Sequence, residues 1–406
     1  MITCTGCSLL CSDILIDKKG DVYGACMHGI ERLKLASDKK RVEKPVSYGV
    51  EINLEKALSE TIDLLKKSSK ILVYGMEFST NEAVKAWFEL ARKTGGIVSP
   101  RYLLTTSLFW SRTVGGKKFL GSLTKARNEG DVIVFAHVNP ADTSLRLASR
   151  YIVFPRGEKI PDGRENRTLV IIDNRETATM KMANYKFAAQ NTMEIIECIA
   201  LSVSERKTVV PKGIPETRFS LLVRDLVEAR TPVIVASLDG VEDPLRYARS
   251  LLRMIKALEE RGTKPILIPL PESANGAGVT NIMLEYTSDS WPIAYDFGDN
   301  KRVKLEEALD AVETVVIVCS DPFTHLPLHI SSKLLSKNVI IVEERRTLTS
   351  MVCRNSIVIP VGITGVETGG LMTRCDGEIV ELNPPLKLPS NLTSEEKVVS
   401  ELVKAL

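Results

Sequence analysis

TLVIIDNRETATM, residues 168–180, joins an apolar run to a polar segment, and this junction is typical of an α/β sheet. Residues 168–172 are all β-branched or aliphatic, which is typical of a strand buried on both faces of a sheet. An acidic residue closes the run, and Arg and Thr follow at alternate positions. The stretch therefore predicts a parallel strand with polar groups at its carboxyl end, where α/β sheets bind ligands.

Similar apolar runs recur along the chain and predict the other strands. They are KILVYG (70–75), DVIVFAH (131–137), PVIVAS (232–237), PILIPL (265–270), TVVIVCS (314–320), NVIIVEE (338–344) and SIVIP (356–360). Helical segments lie between several of them. Ser79 or Thr80 is expected to cap one helix that Gly95 ends, and Asp243 with Pro244 begins another that stops at Gly262. Strands that alternate with helices predict doubly wound parallel-sheet domains.

Residues 171–180 have a second copy later in the chain. IIDNRETATM (171–180) aligns without a gap to IVEERRTLTS (341–350), and each follows a strand. The aligned pairs are Asp173 with Glu343, Arg175 with Arg345, Thr177 with Thr347 and Thr179 with Thr349. Upstream of each copy another strand ends in a similar corner, HVNP (137–140) or CSDP (319–322). Chance similarity between α/β domains is the alternative to a true internal repeat.

A true repeat predicts two related nucleotide pockets. A carboxylate at a strand end accepts hydrogen bonds from a ribose or from the donor edge of guanine, and Arg and Thr donate to phosphates. The chain has no Walker A loop and no convincing G-x-G-x-x-G, which disfavours ordinary ATP or NAD binding.

Four cysteines near the start predict a metal site. The spacing is C-x2-C-x3-C for Cys4, Cys7 and Cys11, with Cys26 after fourteen further residues. Structural zinc usually uses two C-x2-C pairs, whereas a cubane takes one thiolate on each of four irons. The crowded trio favours a 4Fe–4S cluster, with zinc and disulfides as the alternatives.

Composition sets the broad class of protein. The chain has 406 residues, 54 Lys and Arg against 51 Asp and Glu, and a net charge of +3. This balance gives no reason to expect a nucleic-acid or membrane partner. We see neither a signal peptide nor an apolar run of membrane-spanning length, and eight cysteines are too few for a disulfide scaffold, so we expect a cytoplasmic protein. The expected division is a cysteine lobe at 1–50 and two α/β domains at 51–210 and 211–406.

A predicted iron–sulfur cluster near the start of the chain is followed by two predicted nucleotide pockets. This arrangement resembles that of the molybdopterin oxidoreductases, and in particular that of the B subunits of formylmethanofuran dehydrogenases. The segments that carry the resemblance span most of the chain: CTGCSLLCSDI (4–14), SRYIVFPRGEKIPDGRENRTLVIIDNRETAT (149–179), WPIAYDFG (291–298), CSDPFTHLP (319–327) and ETGGLMTRCDGEIVEL (367–382). The resemblance implies a 4Fe–4S cluster and tungsten or molybdenum on two pterin guanine dinucleotides, acting in carbon dioxide and formate chemistry of one-carbon metabolism and methanogenesis. It also implies a chain without the C-terminal β-barrel domain of the wider superfamily. A separate barrel subunit, an amidohydrolase-like subunit and ferredoxin-like subunits are the implied partners.

The same resemblance implies roles for individual residues. Cys4, Cys7, Cys11 and Cys26 match the cluster ligands, and a basic residue between cluster and pterin falls near His28. The first dinucleotide pocket takes Asn139, Pro140, Asp173, Arg175, Thr177 and Thr179. The second takes Asp321, Glu343, Arg345, Thr347 and Thr349, and a late pterin-side loop takes Glu367, Gly370, Arg374 and Asp376.

The chain departs from the family where the metal is held. The metal-ligating Cys and the His after it fall near Leu103 and Leu104, and an active-site Arg falls near Pro271. Thr105, Thr106 or Ser107 is then the nearest source of an oxygen ligand. Leucines supply no polar group to stabilise developing charge, so two functions stay open. One is a redox subunit of the formylmethanofuran dehydrogenase type, and the other is a non-redox scaffold in a formyltransferase/hydrolase-type complex.

Overall fold

The structure of the chain is a computed structural model. It describes residues 1–39, 41–101, 104–113, 120–287 and 294–406, with the backbone alone for 104 and 110–113. Of the residues near the expected metal ligand, Leu103 and the side chain of Leu104 lie outside this description, as do residues 291–293 of the WPIAYDFG segment.

All eight predicted strands are confirmed, and the structure adds shorter ones. The strands are β1 Leu15–Ile16, β2 Val22–Tyr23, β3 Val46–Ser47, β4 Val50–Glu51, β5 Ile71–Gly75, β6 Ile97–Pro100, β7 Val132–Ala136, β8 Thr168–Asp173, β9 Tyr185–Ala188, β10 Pro232–Ala236, β11 Ile266–Pro269, β12 Ala294–Asp296, β13 Lys301–Val303, β14 Thr314–Val318, β15 Asn338–Glu343, β16 Ser356–Pro360, β17 Gly370–Thr373 and β18 Ile379–Leu382.

The α-helices lie mainly between these strands. They are α1 Met27–Lys34, α2 Leu54–Lys67, α3 Asn81–Lys93, α4 Leu104–Thr113, α5 Leu123–Glu129, α6 Pro140–Thr143, α7 Thr192–Glu205, α8 Glu216–Glu228, α9 Pro244–Glu260, α10 Gly276–Thr287, α11 Leu305–Ala311, α12 Pro322–His325, α13 Leu328–Ser331, α14 Leu348–Val352 and α15 Glu395–Ala405. Short 3-10 helices cover Leu35–Ser37, Gly163–Asn166, Ala178–Met182 and Ser332–Ser336, and a π-helix covers Leu147–Ile152. Among the helices so described, none combines the length and the apolar character that crossing a membrane requires.

The predicted helix ends are confirmed in detail. Thr80 caps α3, since its hydroxyl accepts the N–H of Ala83 at 3.2 Å. Asp243 caps α9 by accepting the N–H of Arg246 at 3.0 Å, with Pro244 in the first turn. These caps satisfy backbone donors that have no partner inside the helix, so a short polar residue before each apolar periodic segment fixes where the helix begins.

The chain forms two compact units that differ from the predicted ranges. Unit 1 contains Met1–Leu103, Ser273–Arg374 and Ile379–Leu406, and unit 2 contains Leu104–Glu272 and Cys375–Glu378. The cysteine segment therefore belongs to unit 1, and neither 51–210 nor 211–406 forms one body. The reason is strand pairing: β5 pairs with β14, and β7 pairs with β10. Apolar runs predict that a segment is a strand, but they do not predict its neighbour in the sheet.

Unit 1 is built on a nine-stranded sheet with the order β13-β12-β6-β5-β14-β15-β16-β3-β4. The five strands from β6 to β16 are parallel. From β5 the chain passes to β6 on one side, whereas from β14 it passes to β15 and β16 on the other. The point between β5 and β14 is therefore a topological switch point, where such sheets leave a crevice for ligands.

Unit 2 is built on a five-stranded parallel sheet with the order β11-β10-β7-β8-β9. From β7 the chain passes to β8 and β9, and from β10 it passes to β11 on the other side. Its switch point lies between β7 and β10. In each unit the repeated pattern, counted from the upstream strand, therefore begins with the strand at the switch point, β14 in unit 1 and β7 in unit 2, and parallel sheets bind ligands at such points.

Candidate functional site

From here on, the two loops that follow β7 and β8 are together called the corner of unit 2. His137 follows β7 in a left-handed conformation with φ +56°, and Asn139 and Pro140 begin α6. The hydroxyl of Thr179 donates to Oδ1 of Asn139, which ties the second loop to the first. Asp173 ends β8 and is buried, and its Oδ1 accepts the N–H of Arg175 at 3.3 Å.

The corner of unit 1 is the matching loop pair after β14 and β15. Cys319 follows β14 with φ +45°, and Asp321 with Pro322 begins α12. Oδ1 of Asp321 accepts the hydroxyl of Thr349 at 2.6 Å and its N–H at 2.9 Å. Oδ2 accepts the N–H of Leu348 at 2.9 Å, so one carboxylate holds the start of α14.

The two corners match at the level of single hydrogen bonds. The Thr179–Asn139 bond of unit 2 corresponds to the Thr349–Asp321 bond of unit 1. The residues with positive φ correspond too, and each donates its N–H across to the neighbouring strand. His137 donates to the carbonyl of Ile172 at 2.9 Å, and Cys319 donates to that of Val342 at 2.8 Å. The internal repeat is therefore structural, and chance similarity does not explain it.

The corners differ in which buried polar atom is left over. Glu343 is one methylene longer than Asp173, and its Oε2 accepts the hydroxyl of Thr347 at 2.8 Å. Its Oε1 is buried without a hydrogen-bond partner in the part of the chain that the structure describes. In unit 2 the leftover atom is the hydroxyl of Thr177, the counterpart of Thr347. An orphaned polar atom costs stability, so each corner presents a group that a ligand would satisfy.

Charges at the corners also differ between the buried and the exposed positions. Burial raises the pKa of Glu343 to about 7, and desolvation lowers the pKa of His137 at the other corner. Arg175 is exposed and lies 3.5 Å from Asp142, and Arg345 is exposed as well. Exposed guanidinium groups beside a strand end suit phosphate contacts.

The late loop does not form a single group of side chains. Glu367 accepts the N–H of Ile363 at 2.9 Å and pairs with Arg41, and Gly370 begins β17. Arg374 is buried at the end of one segment of unit 1. Asp376 belongs to unit 2, where it accepts the N–H of Leu123 at 2.8 Å. The carboxylates of Glu367 and Asp376 therefore hold the chain in place within their own units.

The four N-terminal cysteines all belong to unit 1. The N–H of Cys4 donates to the carbonyl of Cys11 at 2.9 Å, and Cys26 immediately precedes α1. Burial raises the pKa of Cys4 to about 11 and that of Cys7 to about 12, and the Cys11 and Cys26 thiols contribute to both shifts. Gly29 packs so tightly that an added Cβ would lie 3.0 Å from the sulfur of Cys4.

The side chains around Cys4 and Cys7 are of the kind that the predicted cluster requires. Besides burial, charge repulsion from other N-terminal thiols raises the pKa of Cys4 and of Cys7. The N–H of Gly6 points at the sulfur of Cys4 at 3.4 Å. Backbone N–H groups that point at sulfur suit an iron–sulfur cluster, whose thiolates each bind a different iron. Within the described ranges no three His, Cys, Asp or Glu side chains are grouped closely enough for one metal ion. The cluster therefore stays a prediction, with soft ligands of the right kind present.

The buried basic residue of α1 is Arg32, one turn after the expected His28. Arg32 donates hydrogen bonds to both carboxylate oxygens of Glu344. It also donates to the Thr5 hydroxyl at 3.1 Å and to the Thr364 carbonyl at 3.1 Å. Its guanidinium also lies over the ring of Phe78, 4.7 Å from the centroid. Arg32 thus links the cysteine segment to the end of β15, and its i+4 spacing from His28 was the available sequence signal.

The oxygen donors near the expected metal ligand are buried in unit 2. The hydroxyl of Thr105 accepts the N–H of Leu238 at 2.9 Å and lies 3.4 Å from the hydroxyl of Ser237. Thr106, Ser107 and Pro271 are buried too. The hydroxyl oxygen of Thr105 therefore already accepts a hydrogen bond from the loop after β10.

Sequence reasoning missed a set of buried carboxyl groups in unit 1. Burial raises the pKa of Glu77 and of Glu395 to about 7. Glu395 accepts hydrogen bonds from the Ser79 hydroxyl at 2.6 Å and the Trp87 indole at 2.8 Å. Glu77 lies two residues after the end of β5, so an acidic residue after a strand was its only sequence signal.

Similarity to known proteins extends along the whole chain. No protein-family model matches the sequence. The B subunit of the tungsten-containing formylmethanofuran dehydrogenase 2 of Methanococcus maripaludis is 24% identical over 429 residues, which cover 99% of this chain and 97% of that protein. Its counterpart from Methanocaldococcus jannaschii is 24% identical over 431 residues, with the same coverage. The chain is a full-length homologue of these formylmethanofuran dehydrogenase B subunits.

Solved structures share the fold. A formyltransferase/hydrolase complex from Methylorubrum extorquens, solved with methylofuran, contains a chain with a TM-score of 0.68 and 17% identity, and the match covers 89% of this chain and 98% of that one. Acetylene hydratase from Pelobacter acetylenicus has a TM-score of 0.71 and 12% identity over 100% of this chain and 68% of its own. The expected mixed α/β fold with parallel sheets is confirmed, and the resemblance to the B subunits of formylmethanofuran dehydrogenases is confirmed over the whole length.

Proposed function

We propose that this chain is the B-type component of a formylmethanofuran dehydrogenase complex, with a 4Fe–4S cluster and tungsten or molybdenum on two pterin guanine dinucleotides. The observation that carries the proposal is the pair of matched corners, one at each sheet, each with a buried polar atom to satisfy. A ligand, or a pair of ligands, with two nucleotide arms is what two such corners would suit. The full-length homology to B subunits of tungsten-containing formylmethanofuran dehydrogenases supports it.

The chain's own residues would divide the work as follows. Cys4, Cys7, Cys11 and Cys26 would hold the cluster. When bound, the metal and the cluster would supply the two-electron redox chemistry that interconverts carbon dioxide and formate in one-carbon metabolism, with electrons exchanged with the ferredoxin-like subunits. Asn139, Asp173 and Thr177 would bind one nucleotide arm, and Asp321, Glu343 and Thr347 the other, with Arg175 and Arg345 oriented to phosphates. Buried strand ends would exclude water from the polar contacts, which strengthens them.

Partners follow from the same proposal. The chain would work in the cytoplasm together with a β-barrel subunit, an amidohydrolase-like subunit and ferredoxin-like subunits. The fold shared with a chain of a multisubunit formyltransferase/hydrolase complex supports an assembled state.

A second function is favoured by the residues at the expected metal position. Thr105 already accepts a backbone N–H at 2.9 Å, so it is poorly placed to give its oxygen to a metal. With Pro271 in place of the expected Arg, the chain would then serve as a non-redox scaffold of a formyltransferase/hydrolase-type complex. In that case the cysteines would hold a structural or electron-relay cluster.

The two functions are separated by the composition of protein purified without oxygen. The assay counts iron, zinc, tungsten and molybdenum per chain, and GMP released from the same sample. About four irons, one heavier metal and two GMP support the redox function. About four irons without a heavier metal support the scaffold, and zinc in place of iron overturns the cluster assignment. Cys7→Ser should lose iron, whereas Cys198→Ser, which changes a buried thiol of α7, should keep it.

A further inference from the structure

The switch point of unit 1 brings together side chains to which neither the family resemblance nor the repeat gives a role. Gly75 ends β5 with φ +107°, and a Cβ there would lie 2.5 Å from the carbonyl oxygen of Val318 at the end of β14. Met76 follows with φ +69°, next to the left-handed Cys319 at the end of the neighbouring strand. Backbone held in such sparsely populated conformations clusters at ligand sites.

Glu77 is the buried acid at this point, and it is half satisfied. It is 3% exposed. Its Oε1 accepts a guanidinium N–H of Arg101 at 2.9 Å and the hydroxyl of Ser320 at 3.0 Å. Its Oε2 is buried and has no hydrogen-bond partner in the part of the chain that is described. A carboxylate oxygen accepts up to two hydrogen bonds, so Oε1 is saturated and Oε2 is vacant.

The missing partner of Oε2 is a hydrogen-bond donor. Burial raises the pKa of Glu77 to about 7 and the Arg101 guanidinium opposes that shift, so above this pH the side chain is an ionised carboxylate that can only accept hydrogen bonds. A buried charge needs strong compensation, and N–H groups of a ligand provide it. Two N–H groups side by side, one amino and one imino, would fill both vacant positions of Oε2.

We propose that Glu77 binds the amino–imino edge of a 2-amino-4-oxo heterocycle through Oε2, at the crevice between β5 and β14. Guanine and pterin share this edge, so the proposal rests on the proposed function, which gives the chain a ligand that contains both rings. Glu77 is then a binding residue of unit 1 besides those of the corner after β15. Arg101 and Ser320 are positioning residues, since they fix Oε1 and leave Oε2 toward the ring.

Other ionisable groups around Glu77 stay in one state near neutral pH. Burial holds the pKa of Tyr74 and of Cys319 far above neutral. His325 stacks on Tyr74 with its Nε2 2.6 Å from the phenol oxygen, and burial lowers its pKa to about 4. Glu77, whose pKa burial raises to about 7, is therefore the group of this set that titrates between pH 6 and 8.

The first test measures what the full chain, purified without oxygen, retains. Glu77→Gln keeps the shape but puts an N–H group in place of one carboxylate oxygen. It should release one of the two dinucleotides, so that GMP and pterin fall by about half, because a lost charged hydrogen bond weakens binding at least about tenfold. The control is Glu395→Gln, which removes a buried acid of the same unit whose oxygens accept from Ser79, Trp87 and Cys319. It should keep the wild-type content, and full retention in Glu77→Gln would overturn the proposal.

The second test separates this proposal from the proposed function. If wild-type protein carries no dinucleotide, the proposed function fails, and GMP and 6-hydroxymethylpterin are titrated into the chain by calorimetry. At least one probe should bind, at least about tenfold more weakly to Glu77→Gln, and the stronger probe identifies the ring. Wild-type affinity should rise with pH from 6 to 7 and release a proton, whereas Glu77→Gln should show no such change. Binding of neither probe, or equal binding to both proteins, refutes the assignment.

Discussion

The buried ion pair between Arg32 and Glu344 should hold the cysteine segment onto the sheet of unit 1. Both side chains are almost fully buried, at 7% and 6% exposure, and one contact between Arg32 Nη2 and Glu344 Oε1 measures 2.7 Å. Arg32→Met leaves Glu344 buried without its cation, with the N–H of Thr364 at 2.8 Å as a remaining donor. Breaking one side of a buried pair costs about 3–5 kcal/mol. Local opening of α1 should become easier by that amount.

The assay is hydrogen exchange of peptides that cover residues 27–34, followed by mass spectrometry. At about 1.4 kcal/mol per tenfold, exchange should speed up roughly a hundredfold to several thousandfold in Arg32→Met. The double variant Arg32→Met with Glu344→Leu should recover most of the protection, because no charge is then left buried. The control is Lys44→Met, which breaks an exposed pair with Glu51 and should change little. If the single and double variants exchange equally fast, the pairing explanation is refuted.

Three more outcomes are expected. Thr349→Val should destabilise unit 1 by about 1.5–3 kcal/mol, because it removes a hydrogen bond to the Asp321 carboxylate. Thr179→Val removes a hydrogen bond to the Asn139 amide and should destabilise unit 2 by only about 0.5–1.5 kcal/mol. Urea titration of both variants measures the two losses, and a larger loss in Thr179→Val would contradict the reasoning. Gly75→Ala should lower the melting temperature of unit 1 because its Cβ would meet the Val318 oxygen, while Gly49→Ala, with open space around it, serves as the control for a positive φ alone. Burial raises the pKa of Glu77, Glu343 and Glu395 to about 7, so the folded chain binds protons at these groups more tightly than the unfolded chain does. The free energy of unfolding should therefore fall as the pH rises from about 4.5 to about 7. Thermal melts of Glu395→Gln across this range should show a smaller dependence on pH, and an unchanged dependence would be the contrary result.

The strands and caps were predictable because they depend on local physics. A run such as residues 314–318 is apolar at nearly every position, so it is stable only when both faces of its strand are covered. Thr80 and Asp243 were predictable as helix starts for the same reason, since a short polar side chain satisfies the first N–H groups of its own helix. The repeat was predictable too, since Thr179 and Thr349 hold equivalent positions in aligned segments.

Other parts of the site could not be predicted because they depend on which strands become neighbours. Glu77 and Ser320 lie 243 positions apart in sequence, and they meet because β5 pairs with β14. Arg32 was overlooked in favour of His28, since its importance comes from Glu344, which lies 312 positions away. The predicted boundary at residue 210 had no counterpart in the units, because β7 and β10 pair across it.

The strands, the helix starts and the repeated segment follow from side chains only a few residues apart, so they can be predicted without the fold. The order of the strands, the division into units and the pKa values of the buried acids depend on contacts between distant parts of the chain. Strand order depends on which apolar faces pack together, and the pKa of Glu77 or Glu343 depends on how much water that packing removes. The candidate binding groups of this protein lie at strand ends, where the local sequence places polar residues and the tertiary packing buries them.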